Sequence, residues 1–168
     1  MKEHPILFST EMVKAILDGR KTMTRRVIKD PYKYITIPHP SPYGQVGDKL
    51  WVRETWTQFP DGESVVYKAD GKPYFNVWKP SIFMPHKFSR ITLEITNIRV
   101  ERLQEINTKR HDEVAKEGWP FGYTGLSIEK APVELFAELW DSINLKRGYS
   151  WGSNPWVWVI EFKKEINK

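Results

Sequence analysis

Residues 155–162 near the end of the chain, Pro-Trp-Val-Trp-Val-Ile-Glu-Phe, constrain the fold more than any other stretch. Nearly every position is apolar or β-branched, so both faces of the segment need to be covered. A strand of this kind lies in the middle of a sheet, with a layer packed against each side. We therefore predict that it is the central strand of the domain.

A second, longer strand pattern runs from Ser89 to Leu103. Apolar residues alternate with polar ones up to Ile95 and then resume in shifted phase at Ile98. The shift indicates a β-bulge near Thr96-Asn97, and bulges bend strands as a curved or closed sheet requires. This pattern predicts a curved sheet.

Three stretches have the periodicity of amphipathic helices, namely 10–18, 107–117 and 132–143. Gly19 and Gly118 follow the first two, where a helix commonly ends. The order of elements is helix, strands, two helices and a final strand. It predicts an α+β fold with a curved, mainly antiparallel sheet flanked by about three helices. At 168 residues the chain is expected to form a single domain, 1–168.

Several classes of chemistry are disfavoured by residue content. Cysteine is absent, which removes disulfides and thiolate catalysis, and the four histidines lie far apart, so neither a metal nor another cofactor is expected. We find no glycine-rich phosphate loop and no serine elbow. The start of the chain lacks the apolar core of a signal peptide, and no apolar run is long enough to cross a membrane, so we expect a cytoplasmic protein.

Charge is distributed unevenly. The net charge is +5, the only acid between positions 19 and 47 is Asp30, and none occurs between 71 and 93. In the second of these regions lysines and an arginine are interleaved with aromatic rings. Cations that follow phosphates and rings that stack on bases are typical of a groove for nucleic acid, which is the partner we expect.

The stretch from Gly19 to Arg26 combines cations with hydroxyls directly after a helix end. Lys21 and Thr24 lie three apart on an extended segment, so they cooperate only if the chain twists or bulges there. A partly buried Lys21 beside arginines could have a lowered pKa and act as a base for the Thr24 hydroxyl, with a carboxylic acid protonating a leaving amine. On spacing alone, the alternative is that Lys21 and Arg25 bind phosphates.

Residues 49–56 form another strand pattern, in which Leu50 and Val52 share one face and Glu54 falls at the next position in the same phase. Arg53 and Glu54 are charged residues within this run. From the residues alone we expect them to form an ion pair at the rim or to face solvent.

These stretches together resemble the ASCH domain family. The resemblance rests on Gly-Arg-Lys-Thr-Met-Thr at 19–24, Gly-Asp-Lys-Leu-Trp-Val at 47–52, the long strand around Arg90, a helix containing Glu117, and the strand at 157–162, in that order. It implies a PUA-like β-barrel and covers about half of the chain. The patterns at 52–56 and 89–93 are similar to those of larger, often phage-encoded members.

The resemblance also implies an RNA-related role. Small bacterial members of the family remove the acetyl group from N(4)-acetylcytidine with a lysine as proton acceptor, a threonine as nucleophile and a glutamate as proton donor. These roles fall on Lys21, Thr24 and Glu117, with Glu113 one helical turn earlier as the alternative glutamate. The residues expected to bind substrate are Arg20, Arg25, Arg53, Glu54 and Arg90.

Other members are ribonucleases or RNA-binding modules, so a non-catalytic nucleic-acid-binding module stays open, as does a protein that binds another protein. Relative to the small amidohydrolases, this chain carries aromatic insertions near 57–88 and 119–131. They could narrow the cleft around one base, widen it into a binding surface, or form a lid or extra core.

Overall fold

The computed structural model describes residues 1–31, 41–71, 77–106, 111–118 and 132–165. The strands within these ranges are β1 (Glu3–Leu7), β2 (Met23–Val27), β3 (Lys49–Arg53), β4 (Trp56–Gln58), β5 (Val65–Tyr67), β6 (Thr92–Arg102) and β7 (Trp156–Lys164). The helices are α1 (Thr10–Leu17), α2 (His111–Lys116) and α3 (Pro132–Asn144).

Five strands form one sheet in the order β1-β3-β6-β7-β2, while β4 and β5 form a separate hairpin. The β1–β3 pair is parallel, and the other three pairs of the large sheet are antiparallel. Strand β7 lies between β6 and β2, and its residues Val157 to Ile160 are buried. The prediction of a central final strand in a mainly antiparallel α+β fold is confirmed.

The predicted bulge in β6 is also present. Ile95 pairs with Phe162 and Asn97 pairs with Glu161, so Thr96 is an extra residue without a cross-strand partner. A bulge increases the local twist and bends the strand that contains it. Strand β6 therefore curves where the sequence pattern changes phase.

Each face of the sheet carries its own apolar cluster. One includes Ile16 of α1 together with Ile6, Leu93 and Ile160. The other joins β2 and β7 to the helices on the opposite face and includes Met23, Val114, Phe136, Trp140 and Val159. Strand β7 contributes to both clusters, which explains its lack of a polar face.

The two edge strands of the sheet approach each other through side chains. Arg26 on β2 donates a hydrogen bond from Nη2 to the carbonyl oxygen of Leu7 at the end of β1, at 2.6 Å. Its guanidinium carbon also lies 5.0 Å from the centre of the Phe8 ring. The sheet thus curls towards the barrel that the resemblance implies, although no strand pairing between β1 and β2 is present in the described residues.

Some sequence-based predictions fall outside the described ranges. These are the N-terminal end of the second helix at 107–110 and the insertion at 119–131. The described part of the insertion at 57–88 contains the β4–β5 hairpin and short 3₁₀ turns. Among the described helices, none is long and apolar enough to cross a membrane.

Candidate functional site

The chain reverses sharply between α1 and β2. Gly19 adopts φ +75°, a left-handed conformation that favours glycine at a helix end. The backbone N–H groups of Arg20 and Lys21 both donate to the carbonyl oxygen of Ala15, each at 2.9 Å. Lys21, which follows this turn, is buried, with only 2% of the residue exposed to solvent.

Lys21 and Glu117 form the centre of the site. Their backbones make an isolated antiparallel bridge next to the end of α2. Lys21 Nζ donates to Glu117 Oε2 at 3.0 Å, to the Glu117 carbonyl oxygen at 2.8 Å and to the Met23 carbonyl oxygen at 2.8 Å. Three acceptors match the three donors of an ammonium group. The pair is buried, since Glu117 is 4% exposed.

Two arginines, the buried Arg25 and the partly exposed Arg99, extend this pair into a network of ion pairs. Arg25 donates to Glu117 Oε1 at 2.9 Å through Nη1 and to Glu113 through Nη2. Arg99 of β6 donates to Glu113 Oε1 at 2.9 Å and to Glu101 Oε1 at 2.6 Å. Of the two glutamates considered from the sequence, Glu117 contacts Lys21, whereas the ion pairs of Glu113 are with the arginines.

The surroundings of Lys21 lower its pKa from the usual value. Burial is the main cause, because it disfavours the charged form. The carboxylate of Glu117 opposes this shift through its charge and hydrogen bond, whereas the charges of Arg26 and Arg25 lower the pKa further. The direction is the one that a lysine acting as a base requires.

A cavity of about 270 Å³ opens beside the edge strand β2. Glu117 and the β2 residues Thr24, Arg25, Arg26 and Val27 form one side. The facing wall is largely apolar and comes from α3, with Phe136, Leu139, Trp140 and Ile143. Other lining residues include Leu7, Met12, Lys29, Tyr43 and Arg147.

Thr24 lines this cavity and is 3% exposed, whereas Lys21 is not among the described lining residues but contacts one of them, Glu117. The Phe8 ring lies near Lys21 Nζ, at 5.7 Å from its centre, and near the Arg26 guanidinium, at 5.0 Å. Lys21 and Arg26 therefore approach one ring although they are five residues apart, and Thr24 is between them on the chain. Lys21 precedes β2 and follows the Gly19 turn, so its side chain need not follow the alternation of that strand.

The residues expected to bind substrate lie in different places. Arg25 lines the cavity, but its guanidinium is already bonded to two glutamates. Arg20 donates to the Gly118 carbonyl oxygen at 3.0 Å and to Asp18 at 2.9 Å. Arg53, Glu54 and Arg90 are not among the described residues that line the cavity. A substrate-binding role for these five residues stays a prediction.

The expectation of an exposed or rim position for Arg53 and Glu54 is wrong for Glu54, which is 1% exposed. Arg90 donates two hydrogen bonds to the Glu54 carboxylate, from Nε to Oε1 at 2.9 Å and from Nη2 to Oε2 at 3.1 Å. Burial raises the pKa of Glu54, and the bonds and charge of Arg90 oppose that shift. Arg53 is half-buried and donates to the carbonyl oxygens of Met84, at 3.0 Å, and Ile82.

Sequence reasoning missed the part of the cavity formed by Lys29, Tyr43, Arg147 and the apolar face of α3. The periodicity of α3 indicated a buried face but did not show that part of it lines a cavity. The described residues contain no group of three or more histidine, aspartate or glutamate side chains placed to hold a metal ion.

No protein-family model and no curated protein sequence matches this chain. Solved structures that it resembles include an ASCH domain from Lactobacillus crispatus JV V101, with 17% identity and TM-score 0.47, covering 97% of this chain and 79% of that one. Another is the ASCH protein of Zymomonas mobilis, with 13% identity, TM-score 0.43, and coverage of 97% and 70%. A protein from Enterococcus faecalis V583 has 12% identity, TM-score 0.43, and coverage of 89% and 64%. ASCH domains, the family that the sequence motifs resemble, are thus among the solved structures similar to this chain.

Proposed function

We propose that this chain is an ASCH-type protein directed at RNA or a modified nucleoside, and that it hydrolyses an amide on a pyrimidine base. N(4)-acetylcytidine is the substrate that the motif resemblance implies. The observation that carries the proposal is the buried Lys21–Glu117 pair, which adjoins a base-sized cavity lined by Thr24. This set supplies a hydroxyl, an amine and a carboxyl group without a metal.

The proposed reaction depends on a proton that Lys21 and Glu117 exchange. The two groups are joined by a hydrogen bond of 3.0 Å, so one proton can move between them without changing the net charge of the pair. With the proton on Glu117, the site holds a neutral amine and a carboxylic acid. Burial lowers the pKa of Lys21 and so favours the release of a proton from its ammonium group.

In the proposed reaction, the Thr24 hydroxyl oxygen bonds to the acyl carbon of the substrate while its proton passes to the Lys21 amine. The bond between the acyl carbon and the exocyclic nitrogen then breaks, and Glu117 gives its proton to that nitrogen, which leaves as the free amine. Water hydrolyses the acyl ester on Thr24, releases the acid and restores the hydroxyl. Arg25 holds the Glu117 carboxyl group in place throughout.

Turnover of N(4)-acetylcytidine by purified variants tests this proposal. Thr24→Ala is expected to abolish deacetylation, and Thr24→Ser should keep measurable activity because it retains the hydroxyl. Thr22→Ala is the matched control, since Thr22 is exposed and precedes the same strand. If the Thr24→Ala variant were as active as the native protein, Thr24 could not be the nucleophile. Absence of product from native protein with acetylated cytidine, related amides and labelled RNA would refute catalysis.

The second candidate is a module that binds nucleic acid without chemistry. It is favoured by the absence of Lys21 from the described lining of the cavity and by the cations that line it. It predicts salt-dependent RNA binding that is indifferent to Thr24→Ala. Cleavage of the labelled RNA would instead identify the third alternative, a ribonuclease.

A further inference from the structure

Among the described residues that line the cavity beside Thr24, positively charged side chains outnumber negatively charged ones. Three cationic side chains in the lining are separate from the network of ion pairs, namely Arg26, Lys29 and Arg147. The only carboxylate among the described lining residues is Glu117, and it is already bonded to Lys21 and Arg25. An anionic group would therefore complement this surface electrostatically.

The hydrogen bonds of these cations leave donors available. Arg26 Nη2 bonds to the Leu7 carbonyl oxygen at 2.6 Å, and its Nε is buried without a hydrogen-bond partner among the described residues. Arg147 Nη1 bonds to the side-chain oxygen of Asn144 at 3.3 Å. Both acceptors are neutral oxygens. Lys29 is exposed, so its ammonium group is accessible.

The two guanidinium groups are close enough to influence each other. Burial is the main reason that the pKa of Arg26 is lowered, and the positive charge of Arg147 lowers it further. Tyr43 and Glu117 oppose the shift. A bound anion between like charges would reduce their repulsion and recover part of the cost of burial.

The rest of the cavity is small and partly lined by aromatic residues. Its volume of about 270 Å³ is slightly below the roughly 300–1,000 Å³ of common ligand pockets. The wall contains the rings of Phe136 and Trp140, and the Trp140 indole is fixed by a 2.8 Å hydrogen bond from Nε1 to the Tyr149 carbonyl oxygen. A base can pack on this wall, while a charged group attached to its sugar stays at the cations.

We infer that the ligand of this cavity is a pyrimidine nucleotide, with its phosphate bound by Arg26, Lys29 and Arg147, and that a free nucleoside binds less tightly. The inference rests on the proposed function, because it specifies the form in which the substrate enters the same site. The phosphate could belong to a free nucleotide or to an RNA chain. The chemistry that the cations recognise is the same in both.

Calorimetric binding to the Thr24→Ala variant tests the inference without turnover. The probes are N(4)-acetylcytidine, its 5′- and 3′-monophosphates, and a short single-stranded RNA with one acetylated cytidine. We expect at least one monophosphate to bind about tenfold or more tightly than the nucleoside at low salt, since charged hydrogen bonds stabilise binding more than neutral ones. The advantage should shrink at higher ionic strength.

Charge-removing variants assign the effect to the cavity. Lys29→Gln and Arg147→Gln should each reduce the preference for the phosphate severalfold and leave nucleoside affinity unchanged. Lys146→Gln removes the same charge from the neighbouring exposed position, which is outside the lining, and should leave the preference intact. Equal loss in all three variants would show a general charge effect and overturn the inference.

The remaining outcomes separate this inference from the proposed function. Tighter binding of the RNA than of either monophosphate identifies a phosphodiester as the source of the anion and supports the inference. Equal affinity for nucleoside and nucleotide, or no binding of any probe, overturns it. If native protein prefers the nucleotide but deacetylates neither form, the inference stands and the hydrolase proposal fails. If it deacetylates both forms with equal kcat/KM and affinity, the hydrolase stands and the inference fails.

Discussion

Removing Lys21 and Glu117 singly and together measures how strongly the buried pair holds the fold. The charged atoms are 3.0 Å apart, which corresponds to roughly 5.5 kcal/mol of attraction at an effective dielectric constant of about 20. Removal of one partner from a buried pair commonly costs about 3–5 kcal/mol, because a charge is left without its counterion. We expect Lys21→Met and Glu117→Gln each to cost an amount of this order.

The two single variants should not be equivalent. Lys21→Met leaves Glu117 bonded to Arg25, whereas Glu117→Gln removes the carboxylate that contacts Lys21 and leaves Arg25 hydrogen-bonded to one carboxylate, that of Glu113, in place of two. Glu117→Gln should therefore destabilise the protein more. The double variant should lose about 3 kcal/mol less than the sum of the single variants, because the second change removes a charge that the first left unpaired.

Urea unfolding of the four proteins at constant pH and salt gives these free energies. The control is the same cycle at Lys14 and Glu11, which are 3.1 Å apart but have half-exposed side chains. Exposed pairs contribute about 0.2–1 kcal/mol. A coupling energy for Lys21 and Glu117 no larger than that of the exposed pair would refute the view that the site is a tightly coupled buried pair.

Three further predictions concern other parts of the molecule. Arg90→Met should cost about 3 kcal/mol in urea unfolding, because it leaves the buried Glu54 carboxyl group without its bidentate partner, and Glu54→Gln in the same background should restore part of the loss. Trp140→Phe should cost about 1–3 kcal/mol in the same assay by leaving the Tyr149 carbonyl oxygen without its indole donor, and an unchanged midpoint would contradict that role. If Lys21 is the base, kcat/KM should rise with pH through a pKa below 10.5, and a profile that is flat up to pH 10 would argue against it.

The same lowered pKa has a defined effect on stability. Between the pKa of Lys21 in the folded protein and its value in the unfolded chain, the unfolded chain binds more protons. The contribution of Lys21 to stability therefore increases as pH rises through this window, and below it the cost of the buried charge is constant. The difference in unfolding free energy between native protein and Lys21→Met, measured across alkaline pH, should change in this direction.

The sheet could be predicted because its signals are local. The uniformly apolar character of β7 and the phase shift around Thr96 can each be recognised from a few consecutive residues. The first indicates an interior strand and the second a β-bulge. The same alternation puts Glu54 in phase with Leu50 and Val52, but its charge predicts a position at the rim or in solvent, whereas it is buried. No local pattern indicated that Arg90, 36 residues away, would pair with the buried carboxylate.

The site could be predicted only in part for the same reason. Lys21 and Glu117 are 96 residues apart, and neither periodicity nor spacing brings them together. The motif resemblance selected both residues, and the structure places them in contact, while their catalytic roles stay predictions. The cavity wall was hidden because an apolar face of α3 has the same pattern whether it covers a core or borders a pocket.

The bulge in β6 makes one residue of the central sheet dispensable for register. Removing Thr96 would leave Ile95 opposite Phe162 and Asn97 opposite Glu161, so every side chain beyond it would keep its layer. The shortened strand would lose the bend of the bulge, which lies just before Arg99, the residue that bonds to Glu113. Deletion of Thr96 should therefore give a folded protein in which the contact between Arg99 and Glu113 is altered. A one-residue deletion elsewhere in the strand should instead exchange the two faces of the sheet.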